Sequence, residues 1–124
     1  MKQLLLVGAG GFIGSIARYG VSKLNLYIHF FSIPLGTLTV NIVGSFLIGI
    51  LTGIATRSEL ISLNMRLFLM VGICGGFTTF SSFTNENMTL LQNGQILSSL
   101  LYTGLSIFFG FLAVYLGFLI TNLF

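Results

Sequence analysis

The sequence predicts an all-α integral membrane protein with four transmembrane helices, and three observations lead to this fold class. Hydrophobic residues make up 55% of the 124 residues, and only 6% are charged. The mean hydropathy is +1.04. Soluble domains carry about 25% charged residues, so this chain lacks the polar surface that a soluble domain needs. A helix that spans a bilayer takes about 20 residues, so four helices nearly use up the chain and we expect a single domain over residues 1–124.

The predicted spans follow the apolar runs in order. The first is glycine-rich, and a loop with the only proline, Pro34, leads to the second, which opens at Gly36. The polar segment 92–95 has turn composition and separates the third span from the fourth. Met1-Lys2 before an apolar run imitates a signal peptide, but no small-residue cleavage site follows, so we expect this span to be retained. The predicted boundaries are about residues 4–22, 36–55, 65–91 and 97–122.

Glycine pairs with a spacing of four recur along the spans. They are Gly10/Gly14, Gly49/Gly53 and Gly72/Gly76. This spacing lets helix backbones approach closely. So many small residues indicate tight helix packing within and between subunits. Because four thin helices cannot enclose a path alone, an oligomer is expected. The run 8–14 is not a dinucleotide fingerprint, because Ile13 stands where the third glycine is required and no strand precedes it.

Charge and reactive residues exclude several classes of function. A net charge of +3 is a membrane-flanking bias, too small to indicate a nucleic-acid partner. The chain has one cysteine, Cys74, one histidine, His29, and no aspartate, so neither a zinc site nor a catalytic carboxylate pair is expected. The sequence therefore does not predict an enzyme.

The basic residues also bear on how the chain is oriented in the membrane. Lys2, Arg57 and Arg66 fall on one predicted side, and Arg18 and Lys23 fall on the other. Because Lys/Arg asymmetry sets orientation, this balance permits insertion both ways and antiparallel pairing. The alternative is that the two or three basic residues on each side suffice to orient the chain. Charge alone leaves both open.

The third span carries the strongest functional signal. Two glycines and a series of hydroxyl residues predict an interruption at 75–79, where freed backbone carbonyls would suit a hard cation such as Na⁺. Phe80 and Phe83 share one helix face, and their positive ring edges could meet an anion. Thr79, Ser81 and Ser82 add hydroxyl donors, and Glu86 follows them.

Polar residues in the other spans admit two interpretations each. Arg18 is either an interfacial anchor or a cation at the mouth of an aqueous vestibule. Asn41 shares a face with Thr37, and its amide either bonds a neighbouring helix or lines an ion path. Thr103 and Ser106 could extend a polar stripe in the fourth span.

At these residues the chain resembles the Fluc family of fluoride channels, also called CrcB-like proteins. The similarity covers nearly the whole chain and is strongest in the stretches 10–19, 34–46 and 72–83. The resemblance implies a passive fluoride-selective channel that exports cytoplasmic fluoride and gives fluoride resistance. It also implies an antiparallel dual-topology homodimer with two pores, as a multi-pass protein of the bacterial cytoplasmic (inner) membrane, with fluoride, a second copy and lipid as its partners.

The resemblance also implies roles for individual residues. Phe80 and Phe83 would be the fluoride-facing rings, with Asn41 as the pore amide. Arg18 would be the vestibule cation. Carbonyls of Gly75 and Thr78 from both subunits would hold a structural Na⁺ at the dimer axis. The other pore residues would be Thr37, Ser81, Ser82, Ser106 and Glu86. Gly110 departs from the family pattern, because a serine is common there.

Two other classes of function compete with the channel. A four-span proton-coupled exporter of cationic drugs would need a carboxylate in the first span, which has none, and the chain has no tryptophan to stack on such drugs. A non-transporting scaffold subunit would explain the glycine pairs but not the hydroxyl and phenylalanine track. Pairing with a homologous subunit instead of a second copy is a further alternative.

Overall fold

The computed structural model describes all 124 residues, and nearly all of them are helical. Four helical spans are long and apolar enough to cross a membrane, which confirms the predicted all-α membrane fold. Each span lies within a few residues of its predicted position. The spans are Lys2–Leu26, Leu35–Arg57, Leu63–Gln92 and Ile96–Ile120.

Three of the spans are regular and the third is composite. The first is an α-helix followed by a single 3₁₀ turn, Lys23–Leu26. The third contains a π-helix, Leu67–Cys74, between two short α-helical pieces, a feature that often accompanies functional sites. The α-helices are α1 (Lys2–Ser22), α2 (Leu35–Arg57), α3 (Leu63–Arg66), α4 (Gly75–Phe77), α5 (Phe80–Gln92) and α6 (Ile96–Ile120).

The third span is broken inside the predicted stretch 75–79, but not at its glycines. Gly75 and Gly76 remain helical in α4, whereas Thr78 and Thr79 are extended, with ψ of 158° and 120°. Gly76 instead permits close packing, since a Cβ there would lie 2.6 Å from the carbonyl oxygen of Gly11 in α1. The glycines thus serve helix contact, and the two threonines form the break.

Glycine contacts join the first span to the third, and the second span to the fourth. A Cβ on Gly10 or Gly14 of α1 would clash with backbone oxygens of the π-helix. A Cβ on Gly49 of α2 or Gly117 of α6 would clash with the backbone of the opposite helix. Close backbone approach of this kind drives helix association in a bilayer, where apolar burial does not. The predicted packing role of Gly10, Gly14 and Gly49 is confirmed.

Most apolar side chains face outward. Only 19 of the 124 residues are buried, and large side chains such as Phe12 and Phe111 are 69% and 75% exposed. The buried cluster lies where α2, α5 and α6 meet, at Ile33, Leu38, Leu90 and Tyr102. In water so much exposed apolar surface would be unfavourable, whereas lipid or a partner helix can cover it.

Candidate functional site

One side chain from α2, that of Asn41, binds both the N–H and the carbonyl of Thr79 in the break of the third span. The Nδ2 of Asn41 donates to the carbonyl of Thr79 at 3.1 Å, and the N–H of Thr79 donates to Oδ1 of Asn41 at 2.8 Å. Gly44, one turn further along α2, leaves room for the side chain of Thr78. A non-helical peptide at membrane depth needs such partners, because hydrocarbon offers none. Asn41 therefore makes the break possible.

The break also deprives two carbonyls of their usual helical donors. In a continuous helix, the amide of Thr79 would donate to the carbonyl of Gly75, and the amide of Ser82 to that of Thr78. Here Thr79 donates to Asn41, and Ser82 donates to Oγ1 of Thr79 at 3.2 Å. Hard cations prefer oxygen ligands of this kind. The donor set at Gly75 and Thr78 thus fits the predicted Na⁺ ligands, and no cluster of three or more His, Cys, Asp or Glu side chains offers a different metal site.

The N-terminus of α5 lies directly after the break. Thr79 caps this helix through its Oγ1, and the helix begins at Phe80. A helix N-terminus presents free N–H groups and a partial positive charge, which favour an anion nearby. The break therefore turns one spanning helix into an element with a positive end inside the protein.

A cavity of about 390 Å³ adjoins this helix end. The ring centroids of Phe80 and Phe83 lie 5.9 Å apart, with an angle of 39° between their planes. Phe80 is 77% exposed, while Phe83 is partly buried. The Oγ of Ser106 is buried and has no hydrogen-bond partner within the chain. Polar and aromatic residues of the cavity wall are Asn41, Ser45, Thr78, Thr79, Phe80, Phe83 and Ser106.

Glu86 is held by two hydroxyl groups. Its Oε1 accepts from Oγ1 of Thr37 at 2.6 Å, and its Oε2 accepts from the hydroxyl of Tyr102 at 2.8 Å. Tyr102 is fully buried, and its ring lies 5.0 Å from that of Phe83. The carboxylate thus connects α2, α5 and α6 and positions the wall behind Phe83.

A second cavity, of about 620 Å³, opens beside the C-terminal end of α1, and we call it the outer cavity. Arg18 lines this cavity and is partly buried. Lys23 also lines it, with its Nζ 5.1 Å from the ring centroid of Tyr19. The other polar residues of its wall include Thr37 of α2, Thr79 of the break, and Ser82 and Glu86 of α5.

Thr79 lies on the walls of both cavities, so a short hydroxyl segment separates them. The Oγ1 of Thr79 donates to Oγ of Ser82 at 3.1 Å and lies 3.5 Å from Oγ of Ser81. Ser81 is exposed and Ser82 is partly buried. The residues to which the resemblance gives a role divide between the two cavities, and only Ser81 lines neither of them. Arg18, Thr37, Ser82 and Glu86 line the outer cavity, and the first cavity is lined by Asn41, Gly75, Thr78, Phe80, Phe83 and Ser106.

Sequence reasoning did not assign Tyr102 and Asn87 to this site. The Nδ2 of Asn87 donates to the carbonyl of Phe83 at 3.0 Å, and its Oδ1 accepts from Ser99 at 2.8 Å and from Thr103 at 3.2 Å. Thr103 thus bonds to α5, while Ser106 lines the cavity. Helical spacing could have signalled this face, because Ser99, Tyr102, Thr103 and Ser106 recur at three and four residues.

Comparison with known proteins places the chain in a family. The family model described as "CrcB-like protein, Camphor Resistance (CrcB)" matches residues 5–118. The chain is similar to the "Fluoride-specific ion channel FluC" of Azobacteroides pseudotrichonymphae genomovar. CFP2, with 44% identity over 100% of this chain and 99% of that protein. Proteins with the same name from Chlorobium phaeobacteroides (strain DSM 266 / SMG 266 / 2430) and Chlorobium chlorochromatii (strain CaD3) are 49% and 50% identical, covering 94% and 93% of this chain and 92% and 88% of theirs. With four spans and this similarity along its length, the chain is a multi-pass membrane protein and belongs to the CrcB-like family.

Proposed function

We propose that this chain forms a passive, fluoride-selective channel that exports fluoride from the cytoplasm and confers fluoride resistance. The observation that carries the proposal is a line of anion-binding groups around Thr79, the residue that lines both cavities. This line contains hydroxyls, one amide, two aromatic rings and the N-terminus of α5, and the basic residues Arg18 and Lys23 lie beyond it on the wall of the outer cavity. The relatives that this chain matches over nearly their whole length are named fluoride-specific ion channels, which supports fluoride as the ion.

The chemistry of the line suits a small, strongly hydrated anion. Arg18 and Lys23 would raise the anion concentration in the outer cavity, as cationic clefts do. Beyond it, the Ser82 hydroxyl can replace water in the ion's shell, because it accepts from Thr79 and its own proton is not used within the chain. The second N–H of Asn41 also remains free, because only one donates to Thr79. Ring edges of Phe80 and Phe83 carry partial positive charge. Such weak groups allow the ion to bind and still leave.

Substitution of the exposed ring tests this assignment. We expect Phe80→Ile to abolish fluoride efflux from liposomes while the purified protein elutes as the unsubstituted protein does. Phe12→Ile is the matched control, because Phe12 is similarly exposed, at 69%, but lies on α1 and lines neither cavity. Normal efflux by Phe80→Ile would exclude the ring-edge mechanism, and equal loss in both variants would point to damage unrelated to the ion path.

We further propose that two copies pair antiparallel and form two pores. The wall at Gly75 and Phe80 is exposed in the single chain, so a second copy would be needed to enclose the ion. The near balance of basic residues between the two ends supports insertion in both orientations. Two of these residues also stabilise helix ends, because Arg57 donates to the carbonyl of Thr121 at 2.8 Å and Arg66 to that of Ala55 at 2.9 Å.

Sided labelling tests the orientation. Asn93 lies at one end of the bundle and Ser62 at the other, and both are exposed, whereas Cys74 is buried. Introduced separately as Asn93→Cys and Ser62→Cys, each thiol should be labelled by a membrane-impermeant reagent to about half from either side. Labelling of each variant from one side only would contradict dual topology.

A structural Na⁺ at the pairing axis is part of the proposal. The carbonyls of Gly75 and Thr78 would hold it, together with the same carbonyls of the second copy. When bound, the ion would supply positive charge to backbone oxygens that lack their helical donors. Dimers prepared in Na⁺ should dissociate more readily when dialysed into choline chloride than into NaCl of equal ionic strength. Equal dissociation in both salts would remove Na⁺ from the account.

A further inference from the structure

The connection between the first two spans carries large apolar side chains that no other part of the chain covers. We call residues 27–33 the aromatic loop; it lies outside the membrane-crossing helices. Tyr27 is 79% exposed, Phe30 53% and Phe31 59%. The rings of Phe30 and Phe31 meet edge to face, with centroids 4.8 Å apart.

The aromatic loop is held in a defined shape. Phe31 and Ser32 have φ of 50° and 59°, a left-handed conformation that non-glycine residues adopt rarely. Two anchors fix it: Ile33 is only 3% exposed within the core, and Nε2 of Gln95 donates to Oγ of Ser32 at 3.0 Å. The turn therefore presents its rings outward.

We propose that the aromatic loop inserts its rings into the interfacial region of the lipid bilayer, at the level of the headgroups. Its position supports this, because a segment joining two spans lies at the membrane boundary. Its composition supports it too, because aromatic rings are enriched at that boundary. Charge is complementary: Lys23 precedes the loop, residues 1–58 contain no Asp or Glu, and phospholipid headgroups carry phosphates. Pairing of two such loops would instead bring like charges together.

Insertion of the aromatic loop would also affect the position of the outer cavity, and this effect does not depend on which ion passes through the cavity. Asn25 and Leu26, just before the aromatic loop, line that cavity. Asn25 also accepts from the N–H of Gly36 at 2.5 Å and so fixes the start of α2. The depth at which the loop inserts therefore sets where the cavity with Arg18 opens relative to the headgroups.

Tryptophan fluorescence measures this depth directly, because the chain contains no tryptophan. Phe31→Trp introduces one fluorophore in the aromatic loop of the full-length protein in liposomes. Asn93→Trp lies in the polar loop at the same end, and Phe111→Trp lies on the exposed face of α6 as a deep reference. Each variant is reconstituted with phospholipids brominated near the glycerol or near the chain end, after its elution is matched to that of the unsubstituted protein.

We expect shallow bromines to quench Phe31→Trp at least twofold more than Asn93→Trp, and deep bromines to quench Phe111→Trp most. Quenching of Phe31→Trp no stronger than that of Asn93→Trp would overturn the proposal. If its emission were blue-shifted without quenching by either lipid, a second protein chain would cover the loop, which would also overturn it.

Discussion

The bidentate contact between Asn41 and the peptide of Thr79 leads to the most specific prediction. Asn41→Leu removes both hydrogen bonds and leaves an N–H and a carbonyl of the break without partners. Hydrogen bonds between transmembrane helices contribute about 0.6–1.7 kcal/mol each, so we expect a destabilisation of roughly 1–3 kcal/mol. The same variant should lose fluoride efflux, because the break would no longer hold Phe80 in place.

Two further variants separate the structural effect from the effect on the ion. Asn41→Asp keeps the acceptor for the N–H of Thr79 but loses the donor and adds a negative charge beside the path. Its loss of stability should be smaller than that of Asn41→Leu, while fluoride efflux should be lost in both. Thr39→Val, on an exposed face of the same helix, should change stability by no more than about 0.5 kcal/mol and leave efflux intact.

Denaturant unfolding of the detergent-solubilised protein and liposome efflux measure the two quantities. If Asn41→Leu unfolded at the same midpoint as Thr39→Val, the two bonds would not stabilise the break. If Asn41→Leu or Asn41→Asp transported at the native rate, the amide would have no role in conduction.

Three other test substitutions, two of them with a matched control, have defined outcomes. Gly14→Ala should destabilise the protein by about 1–3 kcal/mol, because its Cβ would overlap the π-helix backbone, whereas Gly8→Ala has open space and should unfold like the unsubstituted protein. Asn87→Leu should reduce efflux several-fold by releasing the turn that carries Phe83, while Asn85→Leu, at an exposed position, should retain it. Gly110→Ser should fold and conduct at no less than the native rate, because the nearest atom to a Cβ there is 3.9 Å away; a slower channel would contradict this reasoning.

The sequence predicted features that depend on local pattern. Long apolar runs locate the four spans to within a few residues, and the glycine and threonine run locates the break. Which residues form the break depends on tertiary contacts: Gly76 is kept helical against Gly11, and Asn41 accepts the amide of Thr79 instead. Apolar periodicity does not separate α- from π-helix either, so the π-helix Leu67–Cys74 could not be predicted.

The contacts of Glu86 and the role of Asn41 depend on long-range hydrogen bonds, which the sequence pattern does not determine. Thr37 and Glu86 are 49 residues apart and Glu86 and Tyr102 are 16 apart, so no local spacing indicates that they meet. For Asn41, the sequence left an interhelical bond and a place on the ion path as alternatives. The bond to Thr79 is observed, and the remaining N–H of the amide keeps the second role available.

Fluoride efflux measured against chloride efflux tests the central claim most directly. Purified protein is reconstituted into liposomes loaded with either anion, and efflux is followed with an ion-selective electrode after potassium permeability is supplied by an ionophore. The account predicts rapid fluoride efflux and chloride efflux no faster than that of protein-free liposomes. Absence of fluoride efflux from verified dimers, or equal efflux of both anions, would contradict it.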